Sequence, residues 1–209
     1  MRVWIGAAAL MLVAGAAAGD PVDGATAKKM LFPVRGADVV MQPDSGLDDA
    51  QSATMAAILK QMKAEGLGNY YGAAVVSPTF FTRMAADPGQ AALSGLLQIT
   101  EKMHSPDIAA SVAMSACTKA RKSGDAPCVV AAHILPRKWQ PQEVSLSVNA
   151  TQAFKAYRKG SGPKALAISA GSPAYAVARG EGATQAALQS CNAAAAEAGA
   201  PDCKIVIAD

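Results

Sequence analysis

Ser190–Asp209, SCNAAAAEAGAPDCKIVIAD, decides how the chain is read, because its parts occur a second time. After Cys191 comes an alanine run, then Gly199 and Pro201, then Cys203 and the apolar run KIVIAD. Glycine past a helix supplies the left-handed turn that ends it, and proline prevents its resumption. Upstream, Cys117 is followed by TKARKSGDAP, with Gly124 and Pro127, then by Cys128 and VVAAHIL. Laying HSPDIAASVAMSAC (104–117) over ARGEGATQAALQSC (178–191) aligns fourteen residues without a gap. Asp107 and Glu181 coincide where a helix begins, and a carboxylate there faces the positive end of the helix dipole. The agreement of cysteine, glycine, proline and acidic positions does not depend on alanine, so it reads as an internal repeat.

Outward from this pair the design continues. YYGAAVVS (70–77) and KALAIS (164–169) are compact apolar runs closed by turn residues, and LLQITEKM (96–103) and AYAVAR (174–179) follow as second strands. Each half is therefore β-β-α-β, the first carrying an extra piece from Thr79 to Gly95. The expected fold is α+β, with two tandem units packed as a pseudo-dimer. The expected boundaries are a leader at 1–18, an N-terminal helical extension at 19–69, the first unit at 70–135, a surface linker with a short helix at 136–163, and the second unit at 164–209. In the extension, 23–32 reads as a short helix and 37–41 as a short strand. Within 47–65, Met55, Ile58, Leu59 and Met62 have amphipathic helical spacing.

The leader, MRVWIGAAALMLVAGAAA, has one charge at Arg2, an apolar stretch and an A-x-A end, the order of a signal peptide cleaved near Ala18. Its apolar run is too short to span a bilayer. The expected location is the periplasm or the medium. Removing Arg2 takes the formal charge from +3 to +2, too little to argue for nucleic acid as a partner. Hydrophobic residues make up 51% but aromatics only 5%, so the core is expected to be of small side chains that gain from covalent staples. Four cysteines allow three pairings. The repeat selects Cys117 with Cys128 and Cys191 with Cys203, and the wide spacings fit neither a C-x-x-C redox centre nor zinc-ligand pairs.

Motifs for a reaction are missing: there is no G-x-S-x-G, H-E-x-x-H or P-loop, and no catalytic residue, metal or cofactor is assigned. His104 and His133 are the weak candidates for a metal or base, near Asp107; their counterparts in the second half are Ala178 and Ala208. Asn149-Ala150-Thr151 matches a glycosylation sequon. Basic and aromatic residues gather at Arg137, Lys138 and Trp139 and again at Arg158, Lys159 and Lys164, a candidate surface for an anionic envelope polymer or small anion.

YYGAAVV, the A-x-S-A-C and C-V-V segments, KALAIS, A-L-Q-S-C and DCKIVI resemble a group of small exported bacterial domains of unknown function, in a two-copy form. The resemblance covers about 70–134 and 164–209 and implies the same fold and address, with no established activity. Some proteins of this kind carry the automatic name 5-aminolevulinic acid synthase. That reaction needs pyridoxal phosphate on a lysine in a much larger fold, and no such site is visible here. The expected function is a non-catalytic binding or interaction module of the envelope, with an unknown protein or an anionic component as partner. The alternatives are a small hydrolase or metal-dependent enzyme using His104 or His133, and an inhibitor or accessory subunit docking through sheet edges.

Overall fold

A computed structural model describes residues 20–199 and 201–209; the expected leader lies outside the described residues. The protein is α+β, built on two antiparallel sheets. The first contains β1 (Ala37–Met41), β2 (Gly72–Val76), β3 (Leu97–Thr100) and β4 (Val129–Pro136) in the order β1-β4-β2-β3. The second contains β5 (Lys164–Ser169), β6 (Tyr175–Arg179) and β7 (Cys203–Ala208) in the order β6-β5-β7. In each sheet, then, the strand that opens a unit lies in the middle, between the other two strands of that unit.

The correspondence extends to single residues. The β2–β4 register slips between Ala74 and Val75, and the β5–β7 register slips between Leu166 and Ala167, the same place in the two central strands. Cys117 is bonded to Cys128 and Cys191 to Cys203, as the sequence predicts. Cys117 lies on α5 (Pro106–Ala120) and Cys191 on α7 (Ala183–Ala196). Their sulfurs sit 3.5 Å from the Leu96 carbonyl and 3.8 Å from the Ala174 carbonyl. A disulfide sulfur carries no proton, so these are packing contacts, and they place each staple at the entry of the second strand.

Both faces of each sheet are covered. Ala73 and Val75 of β2 meet Ala109, Ala113 and Cys117, while Ala165 and Ala167 of β5 meet Ala183, Ala187 and Cys191. On these faces the expectation of a small-residue core holds. On the other faces it does not. α2 (Asp49–Ala64), closed by an Asp48–Gln51 capping box, brings Met55 and Leu59 against Ala74 and Val76. α6 (Val148–Tyr157), capped by Ser147, brings Phe154 and Tyr157 against Leu166 and Ile168.

Several expectations need correction. The stretch 136–163 is no surface linker: Val144, Leu146, Ala150, Phe154 and Tyr157 are core of the second unit. Its apolar residues are few and widely spaced, which made it look like a connector. The N-terminal extension is not a separate helical piece either. α1 (Gly24–Met30) lies beside β7, Val22 bridges to Ile207, and β1 pairs along β4. The insertion folds as α3 (Thr79–Ala86) and α4 (Pro88–Leu93), docked by a 2.6 Å ion pair from Arg83 to the buried Asp125. Finally, Asp107 is in the first turn of α5, but α7 starts only after Gly182, so Glu181 precedes its helix. Gly182 adopts a left-handed φ of 74° and offers no side-chain cap, which delays α7 by most of a turn.

Candidate functional site

The pairing of β1 with β4 sets Val40 opposite His133 and Asp38 opposite Leu135. Val39 and Met41 pack into the α2 core, and strand alternation sends Val40 to the α5 face, while Asp38, near the strand's end, borders the same hollow and also pairs its Oδ1 with Lys63 Nζ of α2 at 3.8 Å. There α5 begins at Pro106, with the Ser105 hydroxyl accepting from the Ile108 N–H at 3.1 Å. Beyond Pro136 the chain turns back, the Trp139 N–H donating to the Pro136 carbonyl at 3.1 Å, with Lys138 left-handed at φ 58°. A non-glycine residue held in that region is uncommon and marks a turn fixed by its surroundings. Trp139 packs beside the buried Tyr70–Tyr71 cluster.

These elements enclose a cavity of about 620 Å³, within the range of small-molecule sites. Asp107, His133, Lys138 and Trp139 line it, together with Asp38, Gln42, Gln142 and Ser145, which the sequence did not single out. Only the β1–β4 register and the return of 136–145 over the sheet bring that second group in, and neither leaves a local signal. His133 Nδ1 is buried without a hydrogen-bond partner. Burial pushes this imidazole below its ordinary range, opposed by the Asp107 charge. It is therefore neutral at pH 7, with an acceptor nitrogen available in one tautomer or the other.

His104 does not join this group. It is fully buried, its Nδ1 accepting from the Ser147 N–H at 3.3 Å and its Nε2 lying 2.9 Å from the Ala174 carbonyl. These partners fix the neutral Nε2–H tautomer, and burial pushes its pKa down to about 4. His104 thus pins the first unit to the β5–β6 turn and to the start of α6, a structural role in place of the metal or base considered from the sequence. Among the described residues, no group of three or more His, Cys, Asp or Glu side chains is arranged to hold a metal ion.

The expected cationic surface is divided. Lys138 and Trp139 line the cavity above; Arg158 and Lys164 line a separate one at the end of β7, and Arg137 and Lys159 line neither. The Arg137 side chain is folded over Gly36, where an added Cβ would lie 3.0 Å from its Nε. Lys164 is half of an ion pair with Asp209 at 3.2 Å, with Nζ also donating to the Gly160 carbonyl at 3.3 Å. Adjacency in sequence did not survive because α6 runs through the core between the two clusters.

No helix among the described residues is long and apolar enough to cross a membrane. Both closed disulfides fit an oxidising compartment. Compared with known families, curated proteins and solved structures, the chain finds no match in any of the three.

Proposed function

We propose that the protein is an exported, non-catalytic binding module of the cell envelope, which holds a small zwitterionic ligand in the cavity between β1, β4 and the start of α5. The observation that carries this reading is the convergence there of Asp38, Asp107, His133, Lys138 and Trp139. The Asp107 carboxylate and a neutral imidazole acceptor suit an ammonium group, with Asp38, shared with Lys63, adding negative charge at the rim and the Trp139 ring a cation–π surface. Lys138 supplies the counter-charge for an acidic group on the same molecule. The leader and the paired cysteines support the address. The shared strand order, register slip and staple support the two units as copies of one design, arranged as a pseudo-dimer.

Calorimetric titration with small zwitterions, and with simple amines and acids as controls, tests the reading. Saturable binding of zwitterions is expected, weakened about tenfold by Trp139→Ala or Asp107→Asn, as loss of one desolvated cation contact implies. Absence of binding, or binding indifferent to both variants, would remove the proposal. A hydrolase is the second reading, favoured by Ser145, Asp107 and His133 lining one cavity. A fluorophosphonate probe separates the two, since covalent labelling of Ser145 is expected only of an activated serine.

A further inference from the structure

The second cavity, about 450 Å³, has a different character. Lys28 and Lys29 reach it from α1, Arg158 from the end of α6, and Lys164 from the start of β5, with Asp209 as the one carboxylate in its lining. That carboxylate is already committed. Its Oδ1 accepts from the Gly24 N–H at 2.7 Å and its Oδ2 pairs with Lys164 Nζ at 3.2 Å. Gly24 permits this approach, because a Cβ there would lie 3.0 Å from Asp209 Oδ2 and 3.0 Å from the Tyr157 ring. The Asp23 carboxylate is likewise taken up by the Ala25 and Thr26 N–H groups and the Thr26 hydroxyl.

Among the described residues, then, Lys28, Lys29 and Arg158 pair with no carboxylate, while the like charge of Lys164 is fixed beneath them. Lys164 Nζ has three protons and two oxygen acceptors in the chain, the third neighbour being the Tyr157 ring at 5.1 Å. Three cations without a carboxylate, two from α1 and one from the end of α6, border one hollow, and their mutual repulsion is relieved when an anion enters. We propose that this cavity is a binding site for a phosphoryl group, carried either by a free phosphate ester or by a lipid headgroup. Arg158 offers a planar fork for two of its oxygens, and the lysines act as point charges around the third. The site is independent of the one between β1 and β4.

The test uses the whole chain, with inorganic phosphate and pyrophosphate titrated at low salt and followed by amide NMR shifts. Shifts confined to 24–29, 157–164 and 209 are expected. Lys28→Gln/Lys29→Gln should weaken binding about tenfold, as should Arg158→Gln, while Lys60→Gln/Lys119→Gln, on other exposed helix surfaces, should leave it unchanged. In a second arm, co-sedimentation with phosphatidylglycerol vesicles, against phosphatidylcholine vesicles, identifies a headgroup source if Lys28→Gln/Lys29→Gln abolishes it. The proposal is overturned if neither phosphate nor anionic vesicles bind, or if the Lys60/Lys119 variant weakens binding as much as the Lys28/Lys29 variant, which would mean diffuse charge attraction. Since the side chains of Lys28, Lys29, Arg158, Lys60 and Lys119 are all exposed, unchanged melting of the variants separates lost binding from lost fold.

Discussion

The two sheets differ at the first residue of their central strands, and that difference separates scaffold from site. Counting back from the serine that ends each strand, Ser77 or Ser169, Gly72 and Lys164 are equivalent. At Gly72 a Cβ would lie 2.5 Å from the Thr100 carbonyl and 2.7 Å from Ile134 Cδ1, so the sheet is closed there. At Lys164 the same face opens into the basic cavity. Conversely, the cavity at the start of α5 depends on a turn of helix that α7 lacks, because Gly182 delays it. What the two sheets share (the order of three strands, a slipped register, a staple) builds the fold; what they do not share makes the hollows. Binding function is therefore expected to reside in the departures.

The comparison can be broken most strongly in the second unit's large-residue face. Phe154→Ala should cost about 3–5 kcal/mol of stability, the range for emptying a buried aromatic site, whereas a residue of a surface linker would change little. Urea denaturation decides. Next come the staples: removing Cys117–Cys128 or Cys191–Cys203 as alanine pairs should cost about 3 kcal/mol each, because the closed loops, with separations of 11 and 12, are nearly equal. A large inequality would show that the units do not use their bonds alike.

His104 gives a pH test of the contact between units. Its folded pKa of about 4 lies below the ordinary 6.5, so the unfolded chain binds the proton first as pH falls. Stability is fully present above pH 6.5 and is lost as pH falls towards 4, by up to about 1.4 kcal/mol per pH unit and about 3 kcal/mol in all. Glutamine can make both hydrogen bonds without titrating, so His104→Gln should flatten the profile, leaving the part due to His133. The smallest expected effect is Gly72→Ala, about 1–3 kcal/mol, from overpacking against Thr100 and Ile134.

Much of the fold was legible because its signals are local. Stops at Gly124 and Gly199, the cysteine pairs and the apolar runs each act within a dozen residues, and β1 is observed where expected, at Ala37–Met41. The roles of α6 and of residues 20–41 were not legible, since burial of Phe154 or pairing of Val22 with a strand almost at the other end of the sequence leaves no mark on neighbouring residues. The sites were half legible for the same reason. Lys138, Trp139, Arg158 and Lys164 stand out as charge and aromatic clusters, but Asp38, Gln42, Lys28 and Lys29 become partners only through tertiary pairing.

The path of the N-terminal segment has a further consequence. β1 lies along the outer side of β4 over its whole length, and Val22 bridges the outer side of β7 at Ile207, so a single stretch of about twenty residues covers one border of the first sheet and the end of one border of the second. A proteolytic cut that released it would bare a row of unpaired amide and carbonyl groups along β4 and free the Val206 carbonyl and Ala208 N–H of β7. Such rows recruit strands from other molecules, so the clipped protein is expected to self-associate, and the segment serves as a guard against aggregation.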